Sequence, residues 1–316
     1  MQKIFFSVSI LTLLSFFTIT ACVQATPTIH LVSPSQTSEP VTATNTPMPQ
    51  PTETVIPTPT LGVGSTLIGK DGMTLLYVPA GEFTMGSDKG EPNEKPVHTV
   101  NLDGFWIDQT EVTNKQYQAC VGAGVCKPPA FTTSYIQKSD CYGKSCVYPH
   151  KYYGNAEYED YPVIYVSWNQ ANSYCTWTGR QLPTEAQWEK VARGPNANIY
   201  PWGNFEPSGN LLNYNSIVGD TTKVGSYGLG KSFYGAYDMA GNVWEWVHDW
   251  YSGSYYQSSP STNPLGPDTG DGRVLRGRSL GSYGGYSVRS SYRYWGYPTD
   301  ASKGDVGFRC AMNSTP

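Results

Sequence analysis

The sequence predicts an irregular α+β domain of low regular secondary-structure content over residues 65–313. Three short segments open with capping boxes, in which a Ser or Thr hydroxyl and a Gln three residues on satisfy each other's orphan amides. Short β-like runs lie around them, yet strands and helices do not alternate and no repeat appears, which argues against a doubly wound sheet or a barrel. The remainder is rich in Gly, Pro, Asn and aromatic residues, with 33 Gly and 9 Trp in the chain. Disulfides, bound calcium and packed tryptophans are the staples expected of such a domain.

In chain order, β-like runs are expected at Thr74 to Val78, Gly81 to Met85, His98 to Leu102 and Phe105 to Ile107. The first helix opens at Thr113 with Gln116 and stops near Gly122. The second opens at Ser167 with Gln170 and runs to Gly179. The third opens at Thr184 with Gln187 and ends at Gly194, placed to take a left-handed conformation after the helix. A last run covers Val274 to Arg276.

The residues ahead of this domain are of another kind. Lys3 precedes an apolar run, Ile4 to Ile19, too short to span a bilayer and followed by Thr20-Ala21-Cys22, so 1–22 is expected to be a lipoprotein signal with Cys22 lipidated. Residues 23–64 are dominated by Thr, Pro and Ser and cannot bury enough apolar surface to order themselves. They are expected to form a stalk, extending by about 3.1 Å per residue where proline-rich. The protein is thus expected outside the cytoplasm, held to a membrane through its lipid. A net charge of −4 and a charged fraction of 15% provide no basic patch, so nucleic acid is an unexpected partner.

Of 7 cysteines, those after Cys22 are even in number, which favours disulfides in an oxidising compartment. Cys120 with Cys126 and Cys141 with Cys146 are close enough to close local loops, leaving Cys175 and Cys310 as a long-range pair. Sequence alone does not fix that connectivity. His30, His98, His150 and His248 have no metal-ligand spacing, and no phosphate-binding glycine loop is present. Gly277-Arg278-Ser279-Leu280-Gly281 fits a hydrolase elbow, but no histidine follows His248 to complete one.

The segment from Gly235 to Trp246 concentrates chemistry. Asp238 and Glu245 supply hard oxygen, Gly241 permits a sharp bend, and intervening carbonyls complete the oxygen-rich shell that calcium takes. The competing possibility is a packed turn anchored by Trp244 and Trp246, with the carboxylates capping backbone amides.

Several ordered motifs carry a family likeness: Asp71-Gly72-Met73-Thr74, Val78-Pro79-Ala80-Gly81-Glu82-Phe83-Thr84-Met85-Gly86, Glu111-Val112-Thr113-Asn114, Arg180-Gln181-Leu182-Pro183-Thr184-Glu185, Tyr200-Pro201-Trp202-Gly203, Gly241 to Trp246 and Gly307-Phe308-Arg309-Cys310. The chain resembles the formylglycine-generating enzyme, or sulfatase-modifying factor, family across essentially all of the folded segment. The resemblance implies a C-type-lectin-like fold with structural calcium. It would place one calcium on Asp238, the carbonyls of Gly241 and Val243, and Glu245. A second would use Asn213, the carbonyl of Tyr214 and Asp220. It also implies a disulfide between Cys175 and Cys310.

The likeness breaks at the catalytic motif. The family's oxidases hold copper on two cysteines after an Arg-Gly-Gly-Ser-Trp motif, and here those positions fall on Ser282 and Ser287 after Arg276-Gly277-Arg278-Ser279-Leu280. A protonated hydroxyl cannot replace soft thiolate on copper(I), so copper is not expected. From Ser279 to Tyr297 the strip holds five Ser, five Tyr and four Gly, the composition of an antibody paratope. Tyr283, Tyr286, Arg289, Tyr292, Arg293 and Trp295 are the candidate contacts to a protein, peptide or glycan ligand. The expected function is ligand binding by an anchored family member without copper oxidase activity; the alternative is an oxidoreductase or other enzyme of the superfamily modifying exported proteins.

Overall fold

The computed structural model describes residues 61–141 and 144–314, without the side chains of 135–148. These residues all belong to the unit Thr58–Pro316. The expected signal segment, Cys22 and the stalk up to residue 60 lie outside the described residues, as do the side chains of Cys141 and Cys146. Among the described residues no helix is long and apolar enough to cross a membrane.

In chain order the elements are β1 (Thr66–Ile68), β2 (Thr74–Val78), β3 (Gly81–Met85), β4 (His98–Leu102), β5 (Phe105–Asp108), α1 (Asn114–Gly122), β6 (Thr133–Cys141), β7 (Lys144–Lys151), α2 (Trp168–Trp177), α3 (Glu185–Arg193), β8 (Trp244–Trp250), β9 (Arg273–Arg276), β10 (Tyr294–Gly296), β11 (Val306–Phe308) and β12 (Ala311–Asn313). They form a mixed α+β fold of small sheets. One sheet has the order β1-β2-β5-β12 and another β10-β9-β8-β11, while β3-β4 and β6-β7 are separate hairpins. The second sheet is antiparallel except for β11, which lies parallel to β8 with Val306 opposite Trp244.

All three helices begin at the expected caps. Thr113 Oγ1 accepts from Gln116 N while Gln116 Oε1 accepts from Thr113 N, and Ser167 with Gln170 and Thr184 with Gln187 repeat the arrangement. Gly194 follows α3 with the expected positive φ, 64°, but its ψ of −173° is extended and not that of a left-handed helical turn. The strands expected at 74–78, 81–85 and 98–102 are present with those bounds, and β5 and β9 each extend one residue further. β8 was hidden because its first four residues are all buried, which removes the polar and apolar alternation of a half-buried strand. β1, β10, β11 and β12 have three residues each, too few for a period of two to register.

Two large buried clusters form most of the core among the described residues, with two smaller ones around Tyr200 and Tyr152. Of the large two, one gathers Tyr117, Tyr174, Trp246 and Phe308 around α1 and α2; the other gathers Phe105, Ile107, Trp188 and Val274 around α3. Cys175 on α2 is bonded to Cys310, and Cys120 to Cys126 at the end of α1. Every residue of α3 is buried, including Glu185, Glu189, Lys190 and Arg193. A buried charge is tolerable only when paired or hydrogen-bonded, and each is. Glu185 meets Arg293 through Oε1 and Oε2 at 2.7 and 2.8 Å. Glu189 meets Arg276 at 2.6 Å and Arg193 at 3.0 Å. The Lys190 ammonium donates to the carbonyls of Pro79 and Gly81.

Candidate functional site

Two loops, one after Tyr200 and one after β9, are fastened to each other by their backbones. Asn215 N donates to Ser282 O at 2.9 Å and Ser216 N to Leu280 O at 2.8 Å. Gly284 N donates to the Asn215 side-chain oxygen at 2.8 Å. Beside this seam lies a cleft of ≈ 320 Å³, with Asp220, Ser216 and Ser134 on one side and Leu280, Tyr283 and Asp305 on the other. Its lining mixes carboxylates and hydroxyls with Leu280 and aromatic rings, and Tyr283 is 77% exposed.

Ser282 and Ser287 both lie in this loop, buried and turned onto the backbone. Ser282 Oγ accepts from Ser279 N at 3.2 Å. Ser287 Oγ is 3.2 Å from both the Tyr283 and Gly284 carbonyls, to which its hydroxyl can donate. Ser279 donates to Asp305 Oδ2 at 2.8 Å.

The aromatic strip is divided by the fold. Tyr283 and Tyr286 are exposed, as are Tyr294 and Tyr297. Tyr292 and Trp295 are half-buried, the latter stacked near Tyr251 and edge-on to Tyr297. Arg289 and Arg293, expected on the binding surface, instead point inward. Arg289 forms a two-pronged pair with Glu94 at 2.7 and 2.8 Å and is 8% exposed. Arg293 is 2% exposed on Glu185. A guanidinium that desolvates against its own carboxylate is a structural strut and is not offered to a ligand.

The first expected calcium set meets protein partners. Glu245 Oε2 accepts from Arg309 Nε at 2.7 Å and Trp188 Nε1 at 2.8 Å, and Oε1 accepts from Arg309 Nη2 at 2.7 Å. Asp238 Oδ2 accepts from Gly225 N at 2.7 Å, and burial raises its pKa to about 6. Glu111 is buried beside both; burial and then Asp238 hold its carboxyl well above the usual carboxylate range, and Asn242 Nδ2 donates to each of its oxygens. Gly241 makes the expected bend with φ of 78°, where a Cβ would stand 2.4 Å from the Asn213 carbonyl. Val243 precedes β8. In this arrangement Glu245 is committed to Arg309 and Trp188, and Asp238 Oδ2 to the Gly225 amide.

The second set differs. Asn213 Nδ2 donates to the Asp220 carbonyl at 2.8 Å, leaving its buried Oδ1 without a donor. Asp220 Oδ1 accepts from Ser134 Oγ and Thr221 N, while among the described residues the buried Oδ2 has no hydrogen bond and forms an ion-pair contact with His150 Nε2 at 3.3 Å. Burial raises the Asp220 pKa. The Tyr214 carbonyl accepts the Ile217 amide at 3.1 Å. Two buried acceptors without donors fit a hard cation that takes carboxylate, amide and carbonyl oxygen. Among the described residues no group of three or more His, Cys, Asp or Glu side chains is arranged for a metal, so carbonyl and amide oxygens would complete the shell.

Sequence reasoning missed Asp305 and Ser216, which come from separate loops and carry no local signal, and it named His150, on β7, only as a ring without metal-ligand spacing. It quoted Glu111 and Arg309 within motifs without seeing that they share one buried cluster.

These elements and their order define a domain of the formylglycine-generating-enzyme type. Residues 68–314 match the sulfatase-modifying factor enzyme 1-like domain, and the chain belongs to that family. It is 34% identical over 288 residues to the formylglycine-generating enzyme of Streptomyces coelicolor, covering 75% of this chain and 88% of that one. It is 32% identical over 288 residues to inactive C-alpha-formylglycine-generating enzyme 2 of Mus musculus, covering 76% and 86%. Among solved structures, PvdO from Pseudomonas aeruginosa superposes with a TM-score of 0.64 at 27% identity, covering 81% of this chain and 100% of that one. Treponema denticola variable protein 1 shares the fold with a TM-score of 0.61 at 24% identity, covering 79% and 99%.

Proposed function

We propose that this chain is an extracytoplasmic, lipid-anchored binding domain that retains the formylglycine-generating scaffold without its copper oxidase chemistry. The observation that carries the proposal is the Ser282 and Ser287 pair, at the positions where the family resemblance puts the copper-binding cysteines. Hydroxyls remain protonated and hard at neutral pH, and both here are engaged by the backbone. Copper(I) needs soft, ionised sulfur. A mouse relative of similar identity bears the name of an inactive enzyme, so loss of the chemistry on this scaffold has a parallel.

The ligand is a protein, peptide or glycan that enters the cleft between Asp220 and Asp305 beside Tyr283. Hydroxyls and carboxylates there suit a ligand rich in hydrogen-bond donors and disfavour nucleic acid. Asn213, the Tyr214 carbonyl and Asp220 would hold calcium, which would supply positive charge to a buried carboxylate and brace the cleft wall.

The test loads purified protein with copper(I) and presents a sulfatase-derived cysteine peptide. No aldehyde and no retained copper is the expected result, and the Ser282→Cys/Ser287→Cys variant is expected to gain copper. Aldehyde formation by the unaltered chain that vanishes in Ser282→Ala would overturn the proposal. Screening a peptide and glycan array with the wild type and Tyr283→Ala checks the cleft, and Cys22→Ser is expected to release the protein from membranes.

A further inference from the structure

We propose that Arg278 anchors a carboxylate-binding subsite on the surface next to the cleft, with Tyr292 beside it and Lys303 beyond the Trp244 and Tyr294 rings. The chain's other arginines set the contrast. Arg180, Arg193, Arg276, Arg289, Arg293 and Arg309 each meet a carboxylate within 4.0 Å, the most distant at 3.1 Å. Arg273 lies between the rings of Trp168 and Trp250, at 3.9 and 3.6 Å, and donates to the His248 carbonyl. Arg278 has no carboxylate partner among the described residues. Its Nη2 donates to the Tyr292 hydroxyl at 3.2 Å, and no described acceptor meets Nε or Nη1.

The backbone adds a second observation. Arg278 has φ of 63°, a left-handed conformation that long side chains rarely take and glycine adopts without strain. An observed outlier of this kind points toward a functional demand on the side chain. The guanidinium is held by faces: it stacks 4.6 Å from the Tyr292 ring and 5.2 Å from the Trp244 ring. Trp244 stacks in turn on exposed Tyr294, with Lys303 Nζ 5.8 Å from that ring. With one Nη2 N–H on the Tyr292 hydroxyl, Nη1 and the second Nη2 N–H have no described acceptor and remain for another molecule.

The end-on pair Nη1 and Nη2 is the geometry that grips an oxyanion through two parallel bonds. A single negative charge fits better than two, because one guanidinium carries one positive charge, which a singly charged oxyanion neutralises without remainder. A carboxylate therefore fits better than a phosphate. It can come from an acidic peptide side chain or from a uronic acid, and the two are separated by experiment.

The test follows the Trp244 indole resonance of the purified protein while titrating a blocked Glu tripeptide, its Gln counterpart, methyl glucuronide, methyl glucoside and inorganic phosphate. Saturable shifts are expected from the glucuronide or the Glu peptide, the tighter of the two naming the source, and not from the uncharged counterparts. Arg278→Gly should bind about tenfold more weakly, the loss of one charge-assisted pair, while melting at or above the wild-type temperature because glycine relieves the backbone. Lys303→Gln should fall between. The proposal is overturned if Arg278→Gly binds equally, if it melts several degrees lower as the loss of a packing strut would require, if phosphate competes better than either carboxylate, or if no probe shifts Trp244. None of these readouts depends on what the cleft binds.

Discussion

Arg309 and Glu245 form a two-pronged ion pair in the dry interior, Nε to Oε2 and Nη2 to Oε1, each at 2.7 Å. Both are 0% exposed. Arg309 spends its other N–H groups on the carbonyls of Asp108, Gln109 and Tyr237. Glu245 also takes the Trp188 indole N–H, so the pair ties β8 to α3 and to the chain after β11.

Removing one partner leaves an uncompensated buried charge. Glu245→Ala is expected to cost about 3–5 kcal/mol in urea unfolding, whereas an apolar double replacement, Glu245→Leu with Arg309→Met, should recover much of the loss. Equal destabilisation by the single and double variants would show that the pair contributes more than mutual compensation.

The Cys175 to Cys310 bond closes a loop with a sequence separation of 135. Replacing both by Ser should lower stability by about 2–5 kcal/mol, chiefly by freeing the unfolded chain. Calorimetry under oxidising conditions measures it. A melting temperature unchanged from wild type would mean the surrounding core already fixes α2 to the end of the chain.

Asp249 is buried, and burial and then Glu185 raise its pKa from 3.8 to about 8. The fold keeps a proton that the unfolded chain releases, so this contribution is complete below about pH 4 and is lost as pH rises through 8. Asp108, raised by burial to about 7 against the opposing Arg180, acts in the same sense. His248, held neutral by burial and then Arg273, acts oppositely below its ordinary 6.5. Asp249→Asn isolates the first effect. Wild type should lose melting temperature relative to that variant between about pH 5 and pH 8, and parallel curves would refute the assignment.

Calcium at Asn213 and Asp220 would bind the fold and not the unfolded chain. Saturating calcium should then stabilise the protein by roughly 2–3 kcal/mol at a hundredfold excess over its dissociation constant, and a chelator should reverse it. Asn213→Ala should abolish the dependence. A melting curve indifferent to both calcium and chelator would remove calcium from the site.

Local rules made much of the frame legible. Thr113, Ser167 and Thr184 announced the helices because a capping box needs only neighbours four residues long. β3 and β4 alternate because one of their faces is less buried than the other. The polar interior was not legible. Nothing near Arg289 in sequence reveals that Glu94, 195 residues earlier, will draw it inward. The partners of the Glu245 carboxylate, Arg309 and Trp188, arrive from elsewhere in the chain. Asp220 and Asp305 likewise line one cleft although they come from segments 85 residues apart, Asp305 from the connection between β10 and β11.

The seam beside the cleft is made largely of main-chain amides and carbonyls, from Asn215 to Ser282 and from Ser216 to Leu280. Bonds of this kind are blind to the side chains hung on them. Tyr283 and Tyr286 project from a fastened edge, so substitutions at these two positions can alter what the surface recognises without loosening the frame that displays it. The scaffold thereby separates holding a shape from choosing a partner.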